Sequence, residues 1–362
     1  MNSISSSSAI FSSTFFVDSE TSKFLSFFES YLSDLLDSID QPIRDLAKHA
    51  SLGGGKRIRP FLLYTCGNGK SSTEDLLKAS AVIELIHVAT LVHDDILDLA
   101  NLRRGKATLH SKYGEHPAIL LGDALFSFAL ELASEFPSTN ICKIVSKATR
   151  RTCSGEIQQS FSKGDFSLTI EDYYSIIQDK TGELFNASCS IGSYLGGANE
   201  NLIDLVGDFG TSLGLNYQIY DDLVDTFGDN SNFGKTLGTD FESGKVTLPF
   251  IILMKVLSKN ERDSLKSSLN DNNFSSDFRC YLAELFKSHN IQESCIDELI
   301  NRFNQSKLIA SNIPNHVLST RLLRFLETFN LKISSISEIS ESMGLCIKLS
   351  IFHSKFSPFA ER

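Results

Sequence analysis

Apolar side chains recur at helical spacing along almost the whole of this chain. Phe24, Phe27, Phe28, Tyr31, Leu32, Leu35 and Leu36 follow the i, i+3, i+4, i+7 rule. The same stripe runs through Leu120 to Ala133, Ile141 to Cys153, Tyr173 to Ile191, Leu202 to Val224 and Leu248 to Leu257. Helices of this kind bury their stripe against one another. Convincing period-two alternation is absent, only seven prolines occur, and glycines fall in short breaks such as Gly53-Gly54-Gly55 and Gly196-Gly197. The pattern predicts an all-α fold, one domain over residues 24–330. The polar stretch from Ser258 to Ser276, punctuated by Asn-Asp-Asn-Asn, reads as a solvent loop. Residues 331–362 form an extension to which no role is assigned.

Two acidic clusters interrupt the apolar pattern. The run from Ala81 to Val92 ends in His93-Asp94-Asp95-Ile96-Leu97-Asp98, and the run from Leu213 to Ile219 ends in Tyr220-Asp221-Asp222-Leu223-Val224-Asp225. Each is a DDxxD pattern, which on a helix puts the first and last carboxylates at i and i+4, one above the other. Such a pair repels itself unless a cation lies between its members. A lone DDxxD is as easily a solvated acidic turn, but both clusters here follow apolar segments, and buried acids need partners. Two such pairs suit several Mg²⁺ ions, which prefer oxygen ligands and complete their shells with water and phosphate. The leading reading is an enzyme acting on a diphosphate.

Composition narrows the partners. The 362 residues have 41% apolar content, enough for a substantial core. With 34 basic against 44 acidic residues the net charge is −10, which argues against nucleic acid and leaves anion capture to local basic clusters or metal. Seven scattered cysteines (Cys66, Cys142, Cys153, Cys189, Cys280, Cys295, Cys346) show no CxxC spacing and fit reduced thiols rather than a disulfide frame or zinc site. No uninterrupted apolar stretch reaches spanning length, since the candidate from Ala118 to Ala133 carries Asp123 and Glu131, so no membrane-spanning segment is expected. Residues 1–23 are Ser- and Phe-rich, with no Lys or Arg before Lys23. They suit neither a secretory signal nor a mitochondrial presequence and read as a disordered tail, with a short organellar transit peptide as the alternative to a cytoplasmic protein.

Two basic clusters complete the inventory. Gly53-Gly54-Gly55-Lys56-Arg57-Ile58-Arg59-Pro60 is not a Walker A loop, because Ala50 stands where the first glycine belongs and Arg57 follows the lysine. What remains is a glycine hinge delivering cations at the start of a helix, where free backbone N–H groups also suit a phosphate. Arg103-Arg104-Gly105-Lys106 begins five residues beyond Asp98, well placed to grip the far oxygens of a metal-bound diphosphate.

Taken in order, GGGKRIRP, the HxxxxxHDDxxD from His87 to Asp98, RRGK, Gly122-Asp123, KTGELF (Lys180 to Phe185), QIYDDLVD (Gln218 to Asp225), and GKTLGTD with GKVTLP resemble the trans-isoprenyl diphosphate synthases of the polyprenyl synthetase family. The resemblance implies a helical bundle around a central apolar cavity, and a homodimer. It further implies that Asp94 and Asp98, with Asp95 in support, bind Mg²⁺ on an allylic diphosphate, as do Asp221, Asp222 and Asp225. Lys56, Arg59, His87 and Arg104 would hold isopentenyl diphosphate; Arg103, Lys180, Lys235 and Lys245 would contact the allylic diphosphate. Thr181 and Gln218 would turn oxygens toward the developing cation. Ionisation of the allylic C–O bond, attack by the isopentenyl double bond and loss of a proton to the released diphosphate then need little protein acid or base.

Product length would follow from the depth of the apolar tunnel below Asp94, lined by Thr90 and Ala89 about one turn back and by Ile86 and Ile83 beyond. No aromatic stands in that first turn, which favours a medium or long chain; Phe126 and Phe128 on the facing helix could close the floor sooner, leaving geranylgeranyl diphosphate as the alternative. A His-Asp phosphohydrolase would not need a second DDxxD or the Arg103-Arg104 pair. A class I terpene cyclase would lack the GGGKRIRP site. A noncatalytic partner subunit would typically lose acids from one cluster, and both are intact here.

Overall fold

The structure is a computed structural model that describes residues 18–52, 54–67, 71–228, 240, 243–270 and 276–342. Its longest apolar helix shows how the chain organises itself. Ser72 caps Thr73–Leu97 by accepting from the Asp75 N–H at 3.0 Å, while its hydroxyl reaches Asp75 Oδ2 at 2.8 Å. Leu76, Val82, Ile83, Leu85, Ile86, Ala89 and Val92 are all buried. A helix apolar on every side belongs in a core. The N–H of Asp98 closes the last turn on the Asp94 carbonyl, and Leu99 at φ 52° ends it in the left-handed region. The all-α expectation is met.

The chain groups into two compact units. Among the described residues the first spans 18–156, 177–215 and 303–329, and the second 157–176, 216–302 and 330–342. In the first, Thr73–Leu97 packs along Glu115–Ser134, and Ile58–Gly67 packs against Glu183–Leu195. At the latter crossing a Cβ on Gly192 would stand 2.3 Å from the Leu63 carbonyl oxygen, so only glycine permits the approach. In the second unit Tyr173, Ile219, Leu223, Leu248, Leu253, Leu265 and Leu299 are buried, with Phe166 against Phe250 and Phe227 against Phe286 at ring separations of 5.2 and 5.6 Å.

Several expectations are corrected. The helix Lys259–Asn270 occupies most of the supposed loop from Ser258 to Ser276. Ser258 and Glu261 form a capping box, each side chain bonded to the other's backbone N–H, and Leu265 is fully buried. Composition hid a helix that its capping box starts. The first described helix, Ser19–Asp37, begins within the supposed tail, because the Asp18 side chain caps it at 2.7 Å on the Thr21 N–H. The last, His316–Ser342, continues past Asn330. Two helices, Thr73–Leu97 and Glu115–Ser134, are long and apolar enough to cross a membrane by length and composition, although no such stretch was expected. The most apolar window of the first is 67% buried within the protein, as a core helix would be. Finally, the Arg103-Arg104-Gly105-Lys106 segment is a small hairpin. The two-residue strands Leu102–Arg103 and Lys106–Ala107 pair antiparallel, and Arg104 and Gly105 take φ 52° and 74° at the turn.

Candidate active site

Four helical segments of the first unit position its predicted residues. Asp94 is half-buried near the end of Thr73–Leu97. Burial pushes its carboxyl up to about 6, against the pull of Lys180, with Glu156 and Asp98 adding to the rise. Lys180 itself pairs with Glu156. It lies in the π-helical turn Gln178–Gly182, which also carries the buried Thr181; such turns place side chains that a regular helix would aim elsewhere. The turn rests directly on the helix Asn140–Phe161, where a Cβ on Gly155 would come within 2.3 Å of the Lys180 amide nitrogen.

Asp95 points elsewhere. Nε and Nη2 of Arg103 each stand 2.7 Å from its Oδ1, so in this state the residue expected to support the metal anchors the hairpin, and the arginine expected on the allylic diphosphate is held by it. Its carboxyl is raised by burial and lowered by Arg103.

The basic residues divide by direction. Lys56 and Arg59 are half-exposed, while Arg57 between them is buried. The Arg59 guanidinium lies 4.5 Å over the Phe185 ring. His87 is held neutral by burial and by the cations of Arg59, Arg104, Arg103 and Arg57, which lower its pKa far below the ordinary value. That electrostatic grouping brings Arg59, His87 and Arg104 together, as an anion site requires. Of the tunnel candidates Ile83, Ile86 and Ala89 are fully buried, and the Thr90 hydroxyl donates to the His87 carbonyl at 2.8 Å. Phe126 and Phe128 are half-buried on Glu115–Ser134, and Phe126 packs on His93 at 5.8 Å, level with the acidic motif.

The second unit holds the other DDxxD. Asp222 is buried and accepts from the Tyr173 hydroxyl at 2.6 Å and the Gln218 amide nitrogen at 2.8 Å. Burial, with Asp240 and Asp221 nearby, pushes its carboxyl up to about 8. Asp225 accepts from the Asp240 N–H at 3.2 Å, and Lys245 stands 3.2 Å from Asp240 Oδ1. Lys235 lies outside the described residues.

Sequence reasoning missed Glu156, Tyr173, Asp240 and the two carboxylates that hold Arg57, Glu29 and Glu84. Glu156 had a signal, as the sole acid in the otherwise basic helix Asn140–Phe161; Asp240 closes the GKTLGTD motif. The donor set fits magnesium. Among the described residues no three acids, histidines or cysteines form a ready-made cage, and Mg²⁺ characteristically takes one or two carboxylates and fills its shell with water and substrate phosphate. The Asp94 carboxyl is raised chiefly by burial, and a bound cation would lower it again.

The family described as polyprenyl synthetase matches residues 40–284. A geranylgeranyl diphosphate synthase of Sulfolobus acidocaldarius is 31% identical over 333 residues, covering 85% of this chain and 99% of that protein. An octaprenyl diphosphate synthase of Escherichia coli is 31% identical over 239 residues, 66% of this chain and 74% of that one. Among solved structures, a polyprenyl synthase from Caulobacter crescentus complexed with calcium and isoprenyl diphosphate has a TM-score of 0.78 at 30% identity, over 85% of this chain and 94% of that one.

Proposed function

The chain belongs to the polyprenyl synthetase family and is a prenyltransferase, and from that premise we propose that it condenses isopentenyl diphosphate with an allylic diphosphate, with Mg²⁺, into a longer all-trans polyprenyl diphosphate. The observation that carries the reading is Asp94: its carboxyl is pushed to about 6 although Lys180 stands beside it. A cation bound there would favour the ionised carboxylate.

Asp94 and Asp98 would hold magnesium in the first unit, and Asp221 and Asp225 in the second. When bound, the metal supplies charge stabilisation to the departing diphosphate. Lys180, kept in place by Glu156, adds a fixed cation to the same task. Lys56, Arg59, Arg104 and the neutral His87 bind isopentenyl diphosphate, His87 by donating one ring N–H. Gln218 gives its amide nitrogen to Asp222, and its amide oxygen would serve the developing allylic cation. Thr181 adds a hydroxyl oxygen. Buried Ile83, Ile86 and Ala89 exclude the water that would otherwise capture the cation.

A medium or long product is supported by the small, fully buried Ala89 one turn below the acids. A geranylgeranyl product is the second reading, favoured by Phe126 standing against His93. Both acid pairs are intact, which supports a catalytic chain over a regulatory subunit. The apolar side chains exposed on Glu115–Ser134, Ile119, Leu120 and Leu130, support a homodimer; free cysteines among the described residues fit a cytoplasmic protein. The direct test is substitution: Asp94→Ala and Asp221→Ala should each abolish condensation while leaving thermal unfolding intact, and near-normal turnover in either would reject the metal assignment.

A further inference from the structure

Arg57 breaks the pattern of the basic loop it belongs to. Lys56 and Arg59 are half-exposed, whereas Arg57 is 6% exposed. Its backbone sits at φ 45°, a left-handed conformation that a residue with a long side chain keeps only where its surroundings over-determine it. Those surroundings are specific. Nε reaches Glu29 Oε1 at 2.6 Å, Nη2 reaches Glu29 Oε2 at 3.1 Å and the Ser51 carbonyl at 2.9 Å, and Nη1 reaches Glu84 Oε1. The partners come from three different helices, Ser19–Asp37, Ile43–Ser51 and Thr73–Leu97. Burial opposes the charge on Arg57, but the two carboxylates more than offset it and raise its pKa above the ordinary value. Glu84 stands one turn before His87 on the same helix, and Arg57 is the residue that leads into Ile58–Gly67 and so into Arg59.

The geometry points to Glu84 and Glu29 as positioning residues for isopentenyl diphosphate, acting through Arg57 to hold the strained turn between Lys56 and Arg59. This rests on the proposed reading of Lys56, Arg59, His87 and Arg104 as the subsite for that substrate. The physical cause is the turn itself. If the guanidinium were released, residue 57 would relax toward negative φ, and the change would swing Lys56 relative to Arg59. A buried ion pair is a poor device for stability alone, because an apolar pair of similar volume packs about as well. The clamp therefore separates from the fold by substitution.

The test compares wild type with Arg57→Met/Glu84→Met and with Glu29→Ala, whose side chain is 46% exposed, so that water can reach the space it leaves. Thermal unfolding and KM for each substrate are measured on the full chain with Mg²⁺. The double variant is expected to unfold within about 5 °C of wild type, with KM for isopentenyl diphosphate raised about thirtyfold and that for the allylic diphosphate moved by less than about threefold. Glu29→Ala should raise the isopentenyl KM alone by about fivefold, and Arg57→Lys, which keeps the charge but not the fork, should fall between wild type and the double variant. An unchanged isopentenyl KM in Glu29→Ala or in the folded double variant, or equal rises for both substrates, overturns the positioning role. A wild-type chain that turns over no prenyl substrate overturns instead the reading on which it rests.

Discussion

Arg103 holds Asp95 twice, through Nε and Nη2, each 2.7 Å from Oδ1. The second acidic motif treats its middle aspartate alike, with Asp222 gripped by Tyr173 and Gln218. In both, the second acid is tied into the protein scaffold, while the members at i and i+4 occupy another face of the helix.

This division predicts unequal effects within one motif. Asp94→Asn should lower kcat by about 10³-fold, whereas Asp95→Asn should show first as lost stability of about 2 kcal/mol, because it weakens a charge-assisted bond to Arg103. Steady-state kinetics alongside chemical denaturation distinguishes them. Equal kinetic loss with unchanged stability would contradict the anchoring role of Asp95.

Gly155→Ala should be severe for a residue that touches no substrate. The new Cβ would lie 2.3 Å from the Lys180 amide nitrogen, and backbone cannot step aside as a flexible side chain can. A displacement of about 1 Å in the Lys180-Thr181 turn is expected to cost about 10²-fold in kcat. Retention of kcat within about threefold would show that the turn's position is not critical.

The structure makes much of this legible in retrospect, and parts of it were legible from the start. The all-α fold and the ordered motifs follow from helical periodicity and from acids placed where a core helix should be apolar. Lys259–Asn270 was obscured because the capping box that starts it lies in a polar stretch that composition paints as loop. The inward turn of Arg57 was invisible for a different reason: three basic residues within four positions look equivalent until Glu29 and Glu84, 28 residues before and 27 after, are brought to one of them. The π turn at Gln178–Gly182 has no distinguishing sequence period.

Metal removal should couple to pH. Asp94 and Asp222 have folded-state pKa values raised to about 6 and about 8, above the 3.8 of the free side chain. Between those limits the folded metal-free protein binds more protons than the unfolded chain, so its stability falls as pH rises. Mg²⁺ supplies the missing charge, so the gain in melting temperature on replacing EDTA with Mg²⁺ should be larger at pH 8 than at pH 5.5. A gain independent of pH would contradict ionisation of these carboxyls on metal binding.

Tyr173→Phe removes a buried 2.6 Å hydrogen bond to Asp222 without changing the packing of the ring. The expected cost is about 1–3 kcal/mol of stability by denaturant titration, with reduced turnover as Asp222, the partner of Gln218, is held less firmly. Full stability and turnover would show that Asp222 is held adequately by Gln218 alone.

Ala89→Phe places an aromatic one turn below Asp94, on a position with no exposed surface. The product should shorten, and an unchanged product length would reject this helix as the wall that limits the chain.

The central claim is the condensation itself. The full chain would be incubated with Mg²⁺ and labelled isopentenyl diphosphate together with geranyl, farnesyl or geranylgeranyl diphosphate, and the products sized by chromatography. The account predicts a ladder ending at one defined length, abolished by EDTA; absence of product with every primer would contradict it.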